Sequence, residues 1–183
     1  MGSAFANFAA NKELKDRILF TMVMFFVFRL GVHIPVPGVD TSILESLFSS
    51  GNLFGFLDLF SGGALSKFSL FAMSITPYIN ASIIMNLLAF AIPALEALQK
   101  EGEEGRKKLA QYTRYLTIIL ALIQALGMSL SFGDLLIEKT PFTVFTVVLC
   151  ITAGTAFLMY LGEQITESGI GNGISLIIFI SII

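Results

Sequence analysis

Few residues in this sequence could support chemistry. The 183-residue chain contains one histidine, His33, and one cysteine, Cys150. A single cysteine cannot form an internal disulfide, and one histidine cannot build a metal site or a nucleophile–base pair with it. No other candidate nucleophile has a base at a recognisable spacing. We therefore expect no enzyme activity and no cofactor.

The glycine-rich run at 169–173, with the sequence GIGNG, is a second candidate site. Nucleotide-binding loops place glycines close together so that backbone amides can approach phosphates. This run follows no predicted strand, no lysine comes after it, and no acidic residue follows at the required distance. The nucleotide hypothesis therefore fails, and the glycines predict a flexible turn instead.

The composition indicates a membrane protein. Apolar residues make up 55% of the chain and charged residues 13%, whereas a soluble domain has about 25% charged residues. The 11 Lys and Arg are balanced by 13 Asp and Glu, which argues against a nucleic-acid-binding surface. We therefore expect neither a soluble enzyme nor a direct nucleic-acid site.

Weakly charged, apolar runs define the elements that would position any functional residue. A helix needs about 20 mostly apolar residues to cross a bilayer. The runs predict four spans and the start of a fifth, at 18–36, 68–95, 115–132, 141–161 and 174–183. Because the last run is too short to cross about 30 Å of hydrocarbon, we expect the chain to be a fragment of a longer protein.

The basic residues predict the orientation of these spans. Eight of the 11 Lys and Arg lie in 1–17 or 96–114, whereas Lys67 and Lys139 lie in the other loops. Cytoplasmic loops carry the excess of basic residues. We therefore expect 1–17, 96–114 and 162–173 to be cytoplasmic and 37–52 and 133–140 to be external, although 162–173 has no basic residue.

A shorter apolar stretch, 53–66, is interrupted by Asp58 and by Gly62 and Gly63. It is too short to span the bilayer, which suggests a re-entrant or interfacial segment. Composition alone favours an interfacial helix on the outer leaflet. However, irregular glycine-rich backbone at membrane depth needs protein or water around it, and this stretch runs almost directly into the second span. A half-helix folded into a cavity fits these features better.

Isoleucines and amides mark the second and third spans. Ile75 and Ile79 are four residues apart and therefore share a helical face. Spacing alone favours a packing stripe over the alternative, a hydrophobic constriction in a pore. Asn80 and Gln124 are each compatible with an interhelical hydrogen bond.

Five motifs occur in an order that resembles the SecY family, the channel subunit of the bacterial protein translocase. They are HIPVPG, FSGGALSKFS, ITPYINASIIMNLL, KEGEEGRKK followed by QYTRY, and GEQITESGIGNGISLIIF. The resemblance covers essentially the whole chain. It implies an all-α polytopic membrane protein, the N-terminal half of a ten-helix bundle with a re-entrant plug half-helix.

The resemblance also implies roles for individual residues. Ile75, Ile79 and Ile178 match positions of a ring of aliphatic side chains at the pore constriction. Asn80 and Gln124 resemble a polar pair at a lateral gate. The plug would be formed by the stretch 53–66 and includes Phe56, Leu57, Leu59, Phe60, Ser61, Gly62, Gly63, Ala64 and Leu65.

The implied function is conduction of unfolded secretory polypeptides across the bacterial inner membrane, with lateral release of membrane segments into it. The implied partners are SecE and SecG, the SecA motor, the translating ribosome, signal peptides, the nascent polypeptide and membrane lipid. The main alternative is a secondary transporter, because broken helices and midplane polar residues are also typical of transporters. An ion-coupled transporter should show an intramembrane acidic residue. The three spans 68–95, 115–132 and 141–161 contain no Asp or Glu. A structural subunit of a redox complex would need paired histidines, and His33 is alone.

Overall fold

The computed structural model describes residues 11–42, 44, 58, 61–133, 136–137 and 140–182. Phe56, Leu57, Leu59 and Phe60 of the predicted plug lie outside the described residues. The described part contains six named helices and no strand, so the predicted all-α fold is confirmed. The helices are α1 (Lys12–Val32), α2 (Thr76–Ala91), α3 (Pro93–Lys100), α4 (Glu103–Ser131), α5 (Pro141–Ser168) and α6 (Gly173–Ile182).

Helices α4 and α5 are long and apolar enough to cross a membrane, and the bent pair α2–α3 is a third candidate if it counts as one span. In α1, Arg17 and Arg29 limit the uncharged part to 18–28, which is shorter than the about 20 residues that a span needs. One face of α1 is nevertheless apolar and exposed. Its residues are Leu19, Met22, Val23, Phe26 and Leu30, which follow the helical repeat.

The region of the second predicted span, 68–95, differs from one continuous helix. Residues 68–75 form turns, with Phe68 and Ser74 at positive φ angles of 43° and 51°. The helix α2 begins with Pro77 in its first turn, where a missing backbone N–H costs nothing. At the other end, Pro93 starts α3, which is bent by 102° from α2, because proline cannot continue the hydrogen-bond ladder.

Two other helices extend beyond the predicted spans. Helix α4 begins at Glu103, inside the predicted loop 96–114, and α5 continues to Ser168, seven residues beyond the predicted span 141–161. Hydropathy marks where a chain leaves the apolar layer, whereas Glu, Lys and Arg are good helix formers. The charged residues therefore continue the helices rather than end them.

The glycine-rich turn between α5 and α6 is closely packed at its two ends, Gly169 and Gly173, whereas Gly171 at its centre is exposed. A Cβ at Gly169 would lie 2.6 Å from Thr21 Oγ1, and one at Gly173 would overlap the carbonyl oxygen of Gly162. The Ile170 amide donates to Thr21 Oγ1 at 3.2 Å. The Asn172 side chain accepts hydrogen bonds from the first amides of α6. The glycines thus permit close helix approach and dock the turn on α1.

The apolar interior has two parts. One, which includes Phe68, Val147 and Ile151, joins the 36–44 region to α4 and α5. The other lies among α1, the 64–75 segment, α5 and α6, and includes Phe28 and Phe71. Helix α5 contributes to both, and it is also the most deeply packed of the long helices. The 64–75 segment is therefore enclosed by helices on several sides.

Candidate functional site

One cavity of about 510 Å³ lies where the 61–79 segment faces α4 and α6. All three isoleucines of the predicted ring line it, together with two residues of the predicted plug, Ser61 and Leu65. The remaining lining residues are Ala72, Met73, Ser74, Thr76, Gln124 and Met128. Its wall is mostly apolar, and the described lining residues include no charged side chain.

The start of α2 places two of the isoleucines. Ile75 is the residue that precedes the helix, and the Ile79 amide donates to the Ile75 carbonyl oxygen at 3.1 Å. The two side chains are therefore one turn apart on the same side of the helix. Ile75 is buried and Ile79 is half-buried, so both present apolar surface to the cavity.

The third isoleucine comes from α6. Ile177 is 1% exposed and packs in the core against α5, whereas the next residue, Ile178, is half-buried and lines the cavity. Successive residues on a helix point about 100° apart. The packing of Ile177 against α5 therefore directs Ile178 towards Ile75 and Ile79.

The 61–66 turn forms one end of the cavity. Gly62 and Gly63 have φ angles of 70° and 79°, which glycine adopts without steric cost. A Cβ at Gly62 would lie 2.9 Å from the Ser181 carbonyl oxygen, whereas one at Gly63 would meet nothing within 4 Å. The turn therefore rests directly on the backbone of α6.

Asp58, which precedes this turn in the sequence, accepts hydrogen bonds from it. Its Oδ1 atom accepts hydrogen bonds from the Leu65 amide at 3.1 Å, the Ser66 amide at 3.0 Å and Ser61 Oγ at 3.0 Å. Its backbone carbonyl accepts from the Gly63 amide at 3.1 Å. One residue thus accepts from four donors of the turn.

The residues that follow the turn are anchored by α1 and its C-terminal extension. The Val36 amide donates to the Phe68 carbonyl at 3.0 Å, and the Leu70 amide donates to the Ile34 carbonyl at 2.9 Å. Together they form a short antiparallel bridge between Pro35 and Ser69.

Aromatic stacking completes this anchor. Phe71 lies between Phe28 of α1 and Phe157 of α5, with ring centroids 5.8 Å and 6.1 Å away. Gly31 provides the space for the Phe71 ring, and Gly154 provides the space for the Leu70 carbonyl. The segment after the turn is therefore held from two sides.

The two predicted gate residues are placed differently. Gln124 lines the cavity, whereas Asn80 is half-buried and is not among the lining residues. Within the described residues no hydrogen bond joins their side chains. Asn80 follows Ile79 directly and therefore points to a neighbouring face of α2.

Sequence reasoning missed two methionines of the cavity, Met73 and Met128. Met128 is four residues after Gln124 on α4, so helical spacing alone would have placed it on the same face. Met73 lies in the turn region before α2, where no periodic pattern points to it. Both side chains are flexible and polarisable, which suits a surface that contacts varied apolar partners.

An ion pair between α4 and α5 was also missed. Arg114 Nε donates to Glu163 Oε1 at 2.7 Å, and the two side chains are 43% and 17% exposed. Both residues lie in segments that were predicted to be loops. Their helical positions, which hydropathy did not indicate, are what bring them together.

Comparison with known proteins identifies the family. The SecY family model matches residues 69–183. The protein translocase subunit SecY of Bacillus subtilis (strain 168) is 50% identical over 189 aligned positions, which cover 100% of this chain and 44% of that protein. The chain thus spans less than half the length of this relative.

Solved structures agree on the fold. The Sec61 channel from the canine ribosome-channel complex of the endoplasmic reticulum matches with a TM-score of 0.66 and 23% identity, covering 92% of this chain and 36% of that one. A SecY structure, described as showing that the plug domain stabilises the closed state of the translocation channel, has a TM-score of 0.61 and 22% identity. It covers 89% of this chain and 34% of that one. On the extent of the family match and the identity to its relatives, the chain belongs to the SecY family.

Proposed function

We propose that this chain forms part of a channel that conducts unfolded secretory polypeptides across the bacterial inner membrane and releases membrane segments sideways into it. The observation that carries the proposal is the convergence of Ile75, Ile79 and Ile178 on one cavity. These side chains come from two helices that are far apart in sequence. Family membership supports a channel and gives no support to the alternative of a secondary transporter.

The three isoleucines would form part of the pore constriction. A narrow apolar ring loses its water and so blocks ions, and it can close around a peptide without forming hydrogen bonds to it. Isoleucine is bulky enough for this role and has no polar atom to retain the cargo. Because this chain covers less than half of its relatives, the remaining members of the ring would come from the region that it does not cover.

The segment 53–66 would act as the plug of the resting channel. Its described residues Ser61 and Leu65 lie beside the isoleucines, which supports a seal at this position. The SecY structure with a similar fold is described as using its plug domain to maintain a membrane seal. Phe56, Leu57, Leu59 and Phe60 belong to the same proposal, on the basis of the sequence resemblance.

Asn80 and Gln124 would contribute to a lateral gate. Uncharged polar side chains at a helix seam give weak contacts, of about 0.6 kcal/mol each. Such contacts hold the seam closed at rest and give way when an apolar signal segment offers better burial. Since no hydrogen bond joins them within the described residues, each would find its partner on another helix of the whole channel.

The proposed assembly places the N-terminus in the cytoplasm and pairs the chain with SecE and SecG. SecA or a translating ribosome would supply the energy, and signal peptides and nascent chains would be the cargo. The match to a Sec61 channel from a ribosome-channel complex supports a ribosome as partner. The exposed apolar faces of α1 and α4, which include Phe26, Leu122 and Ile123, suit contact with lipid.

Gene replacement tests this function. The matching region of Bacillus subtilis SecY would be exchanged for this sequence, and the chimaera would be the only SecY in the cell. Growth and export of a secreted reporter at near-normal rates are expected. A chimaera that accumulates in the membrane at normal levels but exports no reporter would contradict the proposal.

A further inference from the structure

The 61–66 turn is held in two different ways on its two sides. After the turn, Phe68 and Ser69 are fully buried, and the chain is fixed by the Pro35–Ser69 bridge and by the stacking of Phe71. Before the turn, the described contact is Asp58, whose side chain is half-buried. Among the described residues, Asp58 is therefore the one that fixes the N-terminal side of the turn.

The hydrogen bonds to Asp58 are of the kind that fixes a backbone conformation. Three donors, the amides of Leu65 and Ser66 and the hydroxyl of Ser61, meet at the single atom Oδ1. Ser61 Oγ in turn accepts from the Leu65 amide at 3.1 Å. A carboxylate is the strongest acceptor that a side chain offers, and such bonds are stronger than those between neutral groups. Without it, the Ser66 amide loses this partner and the Leu65 amide keeps only its bond to Ser61 Oγ.

The conformation fixed in this way determines how the turn meets α6. Gly62 lies against the Ser181 backbone, and Ser181 is 3% exposed. Because glycine backbone is conformationally permissive, Gly62 and Gly63 do not hold this arrangement by themselves. Gly63 also has open space beside it, so local packing there does not restrain the turn.

We propose that the Asp58 carboxylate is the positioning group that seats the 61–66 turn against α6 and the cavity. When it is bonded, Ser61 and Leu65 close one end of the cavity and Gly62 covers Ser181. When it is lost, the turn leaves this position while the 68–75 segment stays in place. Any effect of this seating on ion leak or cargo selectivity rests on the channel function proposed above. The seating itself does not depend on that function.

The chain contains a matched control. Asp40 also accepts two hydrogen bonds at Oδ1, from the Ser42 amide at 3.0 Å and from Ser42 Oγ at 2.6 Å. These bonds hold the pKa of Asp40 below its ordinary value. Its bonds stay within three residues and do not reach the 61–66 turn. Removal of Asp40 therefore removes the same chemistry without the proposed consequence.

Thiol accessibility at position 181 tests the seating. Ser181→Cys would be placed in the chimaeric SecY with Cys150→Ala, and membranes would be treated with a small water-soluble maleimide. We expect slow labelling in this parent and labelling about tenfold faster with Asp58→Ala, since the loss of bonds to a charged group shifts the seating equilibrium by that order. Asp58→Asn retains the shape and a neutral acceptor and should give an intermediate rate. Asp40→Ala should match the parent.

Two results would overturn the proposal: equal labelling with and without Asp58, or an equal increase with Asp40→Ala. If Asp58→Ala does not accumulate, Asp58→Asn is used in its place. Faster labelling than in the parent then supports the proposal, and equal labelling contradicts it. Export by the parent chimaera reports separately on the proposed function, since labelling requires no export. A channel that exports normally but labels equally in all variants would retain its function and refute the role of Asp58.

Discussion

Gly154 of α5 faces the carbonyl oxygen of Leu70 so closely that a Cβ at this position would overlap it. The neighbour is backbone and cannot rotate away as a side chain could. The contact joins α5 to the segment that leads into α2, next to the Phe71 stack. The absence of a side chain at Gly154 thus allows the 68–75 segment to pack directly on the backbone of α5.

The first prediction concerns this contact. Gly154→Ala should destabilise the protein by about 2 kcal/mol, the usual cost of overpacking a filled interior. The control is Gly127→Ala on α4, where a Cβ meets nothing within 4 Å, and which should stabilise by about 0.5 kcal/mol because alanine favours the helix. Thermal unfolding of the detergent-solubilised protein measures both. A Gly154→Ala protein as stable as the parent would show that the 68–75 segment can shift away from α5 without cost.

The second prediction concerns the Arg114–Glu163 ion pair. A double-mutant cycle with Arg114→Ala and Glu163→Ala should give a coupling free energy of about 1 kcal/mol, because Glu163 is mostly shielded from water. The same cycle on Glu13 and Arg17, which are 76% and 46% exposed, should give about 0.3 kcal/mol. Chemical denaturation measures each coupling. Equal couplings for the two pairs would mean that burial does not strengthen the α4–α5 pair.

The third prediction addresses the ring. Ile79→Ser in the chimaeric channel should raise ion leak severalfold and allow export of reporters with weakened signal sequences, because a hydroxyl retains water at the constriction. Ile84→Ser is the control, since Ile84 lies on the same helix and does not line the cavity. Conductance of reconstituted channels and reporter export are the two readouts. If Ile79→Ser and Ile84→Ser give the same conductance and the same reporter export, Ile79 is not part of the ring.

The fourth prediction separates the two glycines of the 61–66 turn. Gly62→Ala and Gly63→Ala each place a side chain at positive φ, which costs about 1 kcal/mol. Gly62→Ala also brings its Cβ within 2.9 Å of the Ser181 carbonyl oxygen. A cysteine at position 181 should therefore label faster in Gly62→Ala than in Gly63→Ala. The reverse order of rates would mean that the turn does not rest on α6.

Much of this fold could be predicted from hydropathy and spacing. The four-residue interval of Ile75 and Ile79 correctly places both on one face, because helical periodicity is a local property. The contribution of Ile178 to the same cavity could not be derived in this way, since it depends on how α6 packs against α5. Only the family resemblance suggested it.

Other features have no local signal. Phe68 and Ser74 adopt positive φ angles that non-glycine residues avoid, and tertiary packing imposes them. The close approach of Thr21 to Gly169 is a tertiary contact that the spacing of the glycines does not indicate. Hydropathy predicts a loop at Glu103, which begins α4, because charge limits membrane burial but does not prevent helix formation.

The two hydrogen bonds between 34–36 and 68–70 have a mechanical consequence. They tie the end of α1 to the chain just before α2, so the two parts cannot separate unless these bonds break. In the proposed channel, an outward movement of the start of α2 would have to break these bonds or carry the end of α1 with it. The energetic cost of such a movement is then set partly by the surface that α1 presents to its surroundings, far from the cavity itself.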